Sequence, residues 1–203
     1  MLKLFGHPAS TCTRKVLMTL AETKTPYEMT VVDFAKGEHK QDAHLARQPF
    51  GRIPAIDDEG FALYESRAIC RYLNETRKGN LAPGDAKGRA KMEQWISIET
   101  SEFTPNAMKF IYEHVFKRAQ EAAVLEAANK GLMTATAVMD KELATKPFLA
   151  GADFSLADVC FMPYVEYVMM TPVKELFAKY PHVMTWWKSV SERPTWQKTI
   201  GKT

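Results

Sequence analysis

The positions of apolar residues divide the chain into two parts with different periods. In the first part, short alternating or β-branched runs predict strands, and they are separated by segments whose apolar residues recur at helical spacing. The first two strands flank a helix and are expected to be parallel, whereas a turn at 57–60 makes the last two an antiparallel hairpin. In chain order the predicted elements are a strand at 2–5, a helix at 13–24, strands at 29–34, 53–57 and 61–65, and a helix that begins at Ser66.

After residue 77 the apolar positions follow a helical period throughout. Pro105 interrupts the first helical segment and is expected to kink or break it. Ser155 precedes Asp158 by three residues, a spacing that predicts a capping box at the start of another helix. The predicted helical segments lie at 90–117, 120–145 and 155–170.

The composition changes once along the chain, and this change predicts the domain organisation. A stretch rich in Gly, Pro and charged residues at 78–88 predicts a linker between two domains. We therefore expect an α+β protein. A small mixed sheet with helices should occupy residues 1–77, and an all-α domain should occupy residues 89–203.

Composition and charge exclude several classes of protein. The 203 residues are 46% hydrophobic and carry a formal net charge of +3, which suits a globular core and provides no basic surface for nucleic acid. No apolar run reaches the roughly 18 residues that cross a membrane, and the N-terminus lacks a signal-peptide pattern. We therefore expect a cytosolic protein with no membrane partner.

Cysteines and histidines form no metal-binding pattern. Cys12, Cys70 and Cys160 are widely spaced and include no CxxC pair, which argues against a disulfide framework or a zinc site. His39 and His44 are five residues apart, so they would not share one face of a helix. The sequence therefore predicts no metal ion.

The first candidate for chemistry is HPASTCTRKV at residues 7–16, where a loop leads from the first strand into a helix. Ser10 or Thr11 is well placed as the N-cap, and on one interpretation the hydroxyl only pairs with a free backbone N–H. On the other interpretation the loop binds an anion such as a thiolate. Ligands of open α/β sheets bind at the carboxyl ends of strands, and a helix N-terminus favours negative charge.

Two further stretches suggest a binding pocket. In RQPFGRIPAID, residues 47–57, a cis bond between Ile53 and Pro54 would turn the backbone of residue 53 toward a peptide ligand. An ordinary trans proline at a strand start is the commoner case. In LYESRAICRY, residues 63–72, Glu65 ends a strand and Ser66 is expected to cap the next helix. Such a pocket would bind a carboxylate through Ser66 and an ammonium group through Glu65.

Taken in order, these stretches resemble the glutathione transferase superfamily, and most of all its phi class. HPASTCTRKV, GEHKQDAHLARQPFGRIPA and LYESRAICRYLNE match the class's active-site serine, its NPFGQ[VI]PA-like segment and its ESRAI helix start. The helical half agrees, with W-x-x-x-E and F-x-P near 95–105 and FLAGADFSLADV at 148–159. The resemblance implies a thioredoxin-like N-terminal domain, an all-α C-terminal domain, glutathione as co-substrate, a role in detoxification and a homodimer.

The resemblance also implies a role for each site residue. Ser10 would donate a hydrogen bond to the glutathione sulfur and hold it as a thiolate, which attacks an apolar electrophile or a hydroperoxide. Ile53 would meet the cysteinyl backbone ahead of a cis Pro54, and Arg52 replaces the family's commoner Gln or Lys. The glycyl carboxylate would be bound by His39, Lys40 and Arg52, and the γ-glutamyl end by Glu65 and Ser66.

The electrophile is expected to bind in an apolar pocket between the two domains. A Met and Phe stripe at helical spacing is also typical of a core, so packing is the alternative role for these side chains. The candidates for the pocket are Phe34, Met108, Phe110, Ile111 and Phe116.

Two other functions compete with this one. Cys12 would serve a cysteine-type, glutathione-dependent thiol–disulfide oxidoreductase, but it lies two positions beyond the catalytic position that Ser10 fills. A non-catalytic binder of apolar ligands is the second alternative. Such a binder would not need Ser10, Ile53–Pro54 and Glu65–Ser66 together.

Overall fold

The structure of the protein, a computed structural model, describes residues 1–202. Two compact units are present: one combines residues 1–80 with the segment that begins at Pro194, and the other spans residues 81–193. The strands are β1 (Leu2–Gly6), β2 (Tyr27–Val31), β3 (Ala55–Asp58) and β4 (Phe61–Tyr64). The helices are α1 (Thr11–Glu22), α2 (Asp42–Leu45), α3 (Ser66–Thr76), α4 (Ala86–Ile98), α5 (Thr104–His114), α6 (Ala122–Leu143), α7 (Leu156–Val168), α8 (Lys174–Phe177), α9 (Pro181–Ser191) and α10 (Pro194–Thr199).

The sheet of the first unit is mixed, as predicted. Its strand order is β2-β1-β3-β4, with β1 parallel to β2, and with both β1 and β4 antiparallel to β3. Gly6 pairs with Val31 at the carboxyl ends of the parallel strands, while Ala55 at the start of β3 pairs with Phe5 and Tyr64. The loops after β1, β2 and β4 and the segment before β3 therefore meet at one edge of the sheet. We call this the carboxyl edge of β1.

Helices α1 and α3 pack against each other in this unit. Gly6 allows α1 to begin close to β1, because a Cβ at this position would lie 2.7 Å from the Thr13 side chain. The apolar stripes of the two helices and the inward side chains of β1 and β3 form the core. Its side chains, each at most 1% exposed, include Leu4, Val16, Leu20, Ile56, Ile69 and Leu73.

The predicted partition of the chain differs from the structure at the C-terminus. Residues 89–203 were expected to form the helical domain, but α10 packs against α1 in the first unit. Trp196 of α10 is fully buried, and the Thr195 hydroxyl donates a hydrogen bond to the Glu22 carboxylate. The period of apolar residues predicts that a helix forms, but it does not specify which neighbour the helix packs against.

The second unit is all-α, and α7 runs through it with every residue buried. The capping box predicted at the start of α7 is confirmed. The Asp158 carboxylate accepts hydrogen bonds from the N–H groups of Ser155 (3.0 Å) and Leu149 (3.1 Å) and from the indole of Trp186 (2.8 Å). Burial raises the pKa of the Asp158 carboxyl above its ordinary value, and these donors oppose that shift.

Two boundaries in the helical part differ from the pattern. Helix α4 begins inside the predicted linker, because the Asp85 side chain accepts the N–H groups of Lys87 and Gly88 as an N-cap. A π-helical turn at Glu99–Phe103 separates α4 from α5, and Pro105 lies in the first turn of α5, where a missing N–H is tolerated. Within residues 1–202, no helix is both long and apolar enough to cross a membrane.

Candidate functional site

Ser10 is the N-cap of α1 and lies at the carboxyl edge of β1. Its hydroxyl oxygen accepts a hydrogen bond from the Thr13 N–H at 3.3 Å, and its own N–H donates to the His7 carbonyl at 2.9 Å. A hydroxyl that accepts in this way still has its own hydrogen to donate. The side chain is half-buried, and no acidic residue lies in the first turn of α1. The positive end of the helix dipole is therefore available to a bound anion.

The residues that follow Ser10 differ in exposure. Thr13 is fully buried and its hydroxyl accepts the His7 N–H at 3.3 Å, so it supports the loop that leads into the helix. Thr11 is also buried, whereas Cys12 is half-buried. Ser10 and Cys12 are therefore the two accessible candidates in this stretch.

The other two cysteines are buried and unsuited to thiol chemistry. Cys70, on α3, has its pKa raised to about 11, chiefly by burial. A thiol with such a pKa contains little thiolate at neutral pH. Cys160 is buried in α7. No group of three or more His, Cys, Asp or Glu side chains within residues 1–202 is placed to hold a metal ion.

His39 and Lys40 share one short 3₁₀ turn that contacts the loop before β3. The Lys40 ammonium donates to the Phe50 carbonyl at 3.2 Å. A Cβ at Gly51, where φ is +63°, would lie 2.7 Å from the His39 carbonyl oxygen, so only glycine permits this approach. The structure therefore brings the turn at Glu38–Lys40 together with residues 50–52.

Two side chains of these segments, His39 and Arg52, lie close to aromatic rings. The His39 ring stacks on Phe34 with a centroid distance of 4.1 Å and an interplanar angle of 10°. The Arg52 guanidinium lies 5.9 Å from the centroid of the Phe50 ring and is exposed. His39, Lys40 and Arg52 thus form a small basic cluster, and side chains of this type bind carboxylates.

The peptide bond between Ile53 and Pro54 is cis, as predicted. Pro54 is buried and Ile53 is half-buried, immediately before β3. Because Ala55, the first residue of β3, pairs with Phe5, this bond immediately precedes the strand next to β1, the strand that leads to Ser10.

Glu65 rather than Ser66 is the N-cap of α3, which corrects the expectation from sequence. The Glu65 carbonyl accepts the Ile69 N–H at 2.9 Å, and Ser66 is the buried first residue of the helix. Glu65 has φ 71° and ψ 107° and makes no side-chain capping bond. Positive φ is unfavourable for a residue with a Cβ, and such strain concentrates at functional sites.

The candidates for the electrophile pocket have different environments. Phe110 and Ile111 are buried, as is typical of core residues, and Met108 is half-buried. Phe116 follows α5 and is exposed, and the centroid of its ring lies 5.6 Å from that of Tyr167. Phe34 is exposed beside His39.

Two polar residues of this region are not marked by the sequence pattern as site residues. The pattern offers His44 only as a metal-ligand candidate and assigns no role to Gln48. Both are buried and form hydrogen bonds to the loop before β3. His44 lies in the four-residue helix α2 and Gln48 lies just beyond it. Neither segment carries an apolar stripe, so no local pattern marks the two residues as buried.

Comparison with known proteins shows the family. The model of the glutathione S-transferase N-terminal domain matches residues 1–75, and the model of the C-terminal domain matches residues 103–194. Glutathione S-transferase F6 of Arabidopsis thaliana is 36% identical over 205 residues, which cover 98% of this chain and 99% of the relative. The chain belongs to the glutathione S-transferase family.

Solved glutathione transferases have the same fold. Glutathione transferase F2 from Populus trichocarpa gives a TM-score of 0.95 at 33% identity, covering 99% of this chain and 98% of that one. Glutathione S-transferase I from mais, solved in complex with an atrazine glutathione conjugate, gives 0.90 at 30% identity, covering 99% and 97%. The predicted fold and the predicted likeness to the phi class are confirmed, and the chain is an enzyme of the glutathione S-transferase class.

Proposed function

We propose that this glutathione transferase binds glutathione along the carboxyl edge of β1 and uses Ser10 to hold the glutathione sulfur as a thiolate. The observation that carries the proposal is the half-buried Ser10 hydroxyl at the start of α1, whose first turn has no acidic side chain. A hydroxyl donor and the positive end of a helix dipole both favour a thiolate over a thiol.

The energies involved are sufficient for this role. A free thiol has a pKa of about 8.5, so only a few per cent is ionised near neutral pH. A hydrogen bond to a charged group contributes about 1.5 to 3 kcal/mol, and each pKa unit corresponds to about 1.4 kcal/mol. One hydroxyl that bonds the thiolate more strongly than the thiol therefore lowers the pKa by one unit or more.

Glutathione offers two carboxylates, one ammonium group and a thiol flanked by peptide bonds, and the edge has a counterpart for each. The basic cluster suits the glycyl carboxylate, and the backbone before β3, at Ile53 and the cis Pro54, suits the cysteinyl peptide. An exposed acid next to a buried hydroxyl suits the γ-glutamyl ammonium and carboxylate. The proposed ligands are His39, Lys40, Arg52, Ile53, Pro54, Glu65 and Ser66.

In the proposed reaction the thiolate forms a bond to an electrophilic carbon, and the leaving group departs with its electron pair. A hydroperoxide is the other substrate class: the thiolate attacks its terminal oxygen, the O–O bond breaks and the alkoxide leaves and is protonated. The peroxide is thereby reduced to an alcohol and the glutathione sulfur is oxidised to a sulfenic acid. Most of the rate would come from forming the nucleophile and holding it near the electrophile. The atrazine conjugate bound by the mais relative supports an apolar, ring-bearing electrophile. Among the candidates in the helical unit, the half-buried Met108 and the exposed Phe116 suit contact with it better than the buried Phe110 and Ile111 do.

The test follows the ultraviolet absorbance of bound glutathione thiolate against pH, together with turnover of a chromogenic aryl halide. In Ser10→Ala, glutathione should still bind, its thiol pKa should rise, and turnover lost near neutral pH should partly return at higher pH. Cys12→Ser should keep conjugation close to that of the parent protein. An unchanged thiol pKa in Ser10→Ala would count against the proposal.

The alternative of a cysteine-type oxidoreductase is favoured by one observation: Cys12 keeps partial exposure at the start of α1. A disulfide-reduction assay on the same variants separates the two functions. Activity lost in Cys12→Ser and kept in Ser10→Ala would favour the thiol chemistry. Failure of the parent protein to bind immobilised glutathione would favour the non-catalytic binder of apolar ligands.

We further propose a cytosolic homodimer, an inference that rests on the family. Light scattering on the purified protein should give twice the mass of one chain. A mass equal to one chain at micromolar concentration would exclude the dimer.

A further inference from the structure

The loop before β3 is held by two buried polar side chains, His44 and Gln48, which are 3% and 1% exposed. The Gln48 side-chain oxygen accepts the N–H groups of Phe50 at 2.8 Å and Arg52 at 3.1 Å. The His44 Nε2 lies 2.7 Å from the Arg52 carbonyl oxygen. The backbone of Arg52 is therefore bonded on both sides, at its N–H by Gln48 and at its C=O by His44. We call these two residues the loop brace.

The Arg52 carbonyl determines which nitrogen of the His44 ring carries the hydrogen. A carbonyl oxygen only accepts, so Nε2 carries the hydrogen and donates it. The Nδ1 atom is buried and has no hydrogen-bond partner within residues 1–202. A buried, unpaired nitrogen is unfavourable, and an apolar side chain would fill the space without it. The bond to the Arg52 carbonyl is therefore what histidine provides at this position.

The peptide plane connects this bond to the proposed ligand. The Arg52 C=O and the Ile53 N–H belong to one planar peptide unit and point in opposite directions. By fixing the carbonyl, His44 also fixes the direction of the Ile53 N–H. Gln48 holds the preceding peptide, and with it the base of the Arg52 side chain.

We propose that His44 and Gln48 are positioning residues for glutathione binding, because they hold the peptide unit that aims the Ile53 N–H at the cysteinyl backbone. The inference rests on the proposed function and assigns how that site is pre-ordered. A loop that is already ordered loses less conformational entropy when the ligand binds. Neither residue of the brace would touch the sulfur, so the brace acts on affinity and not on the chemical step.

The decisive experiment compares His44→Leu and Gln48→Met with His44→Gln, which keeps a donor near the Arg52 carbonyl. In the first two variants the Kd and KM for glutathione should rise about fivefold to tenfold, with kcat at saturating glutathione within about twofold of the parent. His44→Gln should restore most of the affinity. His182→Leu, which removes an exposed histidine of α9, is the control and should behave like the parent.

Amide hydrogen exchange tests the brace without any ligand. In free Gln48→Met, exchange at Phe50 and Arg52 should speed up about tenfold, while exchange at core amides of α1 should not change. An unchanged Kd in a folded His44→Leu, with a lower melting temperature only, would show a purely structural role and overturn the proposal. If the parent protein binds no glutathione, the proposed function fails and the brace inference fails with it. If the parent binds and the variants bind equally well, only the brace inference fails.

Discussion

Two helices of this protein begin with a serine N-cap, and they differ in what surrounds the serine. At α7, Ser155 is buried, and Asp158 in the first turn accepts N–H groups from the cap residue, from Leu149 and from the indole of Trp186. At α1, Ser10 is half-buried and no acid follows it in the first turn, although its capping bond has the same 3.3 Å length as that of Ser155. At α7 the protein itself supplies the acid that accepts free N–H groups. At α1 it supplies no such acid, so the start of that helix remains available to an external anion.

The difference teaches that a capping motif alone does not separate a structural position from a binding position. A carboxylate in the first turn neutralises the positive end of a helix and accepts its free N–H groups. Where that carboxylate is missing and the cap is accessible, the same backbone groups remain available to an external anion. Burial and the presence of an internal anion therefore distinguish the two starts.

The largest effect should follow removal of the internal anion at α7. Asp158→Ala leaves the Trp186 indole and two backbone N–H groups buried without an acceptor, so the free energy of unfolding should fall by about 3 to 5 kcal/mol. Urea unfolding measures the loss. Asp153→Ala, an exposed acid in the preceding loop, is the control and should change stability by less than about 0.5 kcal/mol. Equal losses in both variants would mean that α7 does not depend on its acid.

The contrast between buried and accessible groups also applies to the cysteines, where it should appear in the pH dependence of stability. Cys70 has a pKa of about 11 when folded, chiefly because of burial, whereas an unfolded cysteine titrates near pH 8.5. The folded state therefore favours the protonated thiol. This stabilisation is complete below about pH 8.5 and is lost as the pH rises through 11, a change on the order of 3 kcal/mol.

Urea midpoints at pH 8 and pH 10.5 measure this effect. Cys70→Ala should lose less stability across that interval than the parent protein. Cys12→Ala, which leaves Cys70 in place, should keep the parent's fall. The same fall in all three proteins would assign the pH dependence to other groups.

Replacement of each serine by alanine should lower activity at α1 and stability at α7. In Ser10→Ala, turnover near neutral pH should drop about 10- to 100-fold, because the thiolate loses one hydrogen bond, while the free energy of unfolding falls by only about 0.5 kcal/mol. Ser155→Ala should lose about 1 to 2 kcal/mol of stability and keep its turnover per folded molecule. If both variants lose activity in proportion to stability, the two helix starts do not differ in function.

The smallest effect concerns two glutamates with positive φ. Glu65 at the start of α3 has φ 71°, and Glu59 in the hairpin turn has φ 56°. Replacement by glycine removes the strain at each position and should raise the free energy of unfolding by about 1 kcal/mol or less. Only Glu65→Gly should also raise the KM for glutathione, by about two- to fivefold, because the proposed ion pair between the Glu65 carboxylate and the glutathione ammonium is lost. A similar KM change in Glu59→Gly would remove Glu65 from the proposed pocket.

Much of the fold could be predicted from the sequence because the signals are local. The hairpin strands, α3 and the capping box of α7 follow from alternation, helical period and a three-residue spacing. Strand β2 was expected at 29–34 and lies at Tyr27–Val31. It is an edge strand with no fully buried residue, so its pattern carries little information about where it ends.

The candidate site was predicted mainly by resemblance. Patterns alone placed Ser10 and Ser66 at helix starts and left their roles open, and the structure moved the cap of α3 to Glu65. Local patterns do not mark His44 and Gln48, because these side chains bond the backbone of a loop two to eight residues further on. Whether that backbone comes within reach depends on the path of the loop, which no spacing rule describes.

The sequence by itself determined which segments become strands and helices and, for α1 and α7, which serine begins them, since these choices depend on neighbours within about one turn. Only the tertiary structure decided that α10 packs on α1, that Trp186 meets an acid 28 residues earlier, and that four loops meet at the carboxyl edge of β1. These contacts join segments far apart along the chain. Their free energy comes from burial and from pairing polar groups inside the fold, and neither can be evaluated before the chain has a shape.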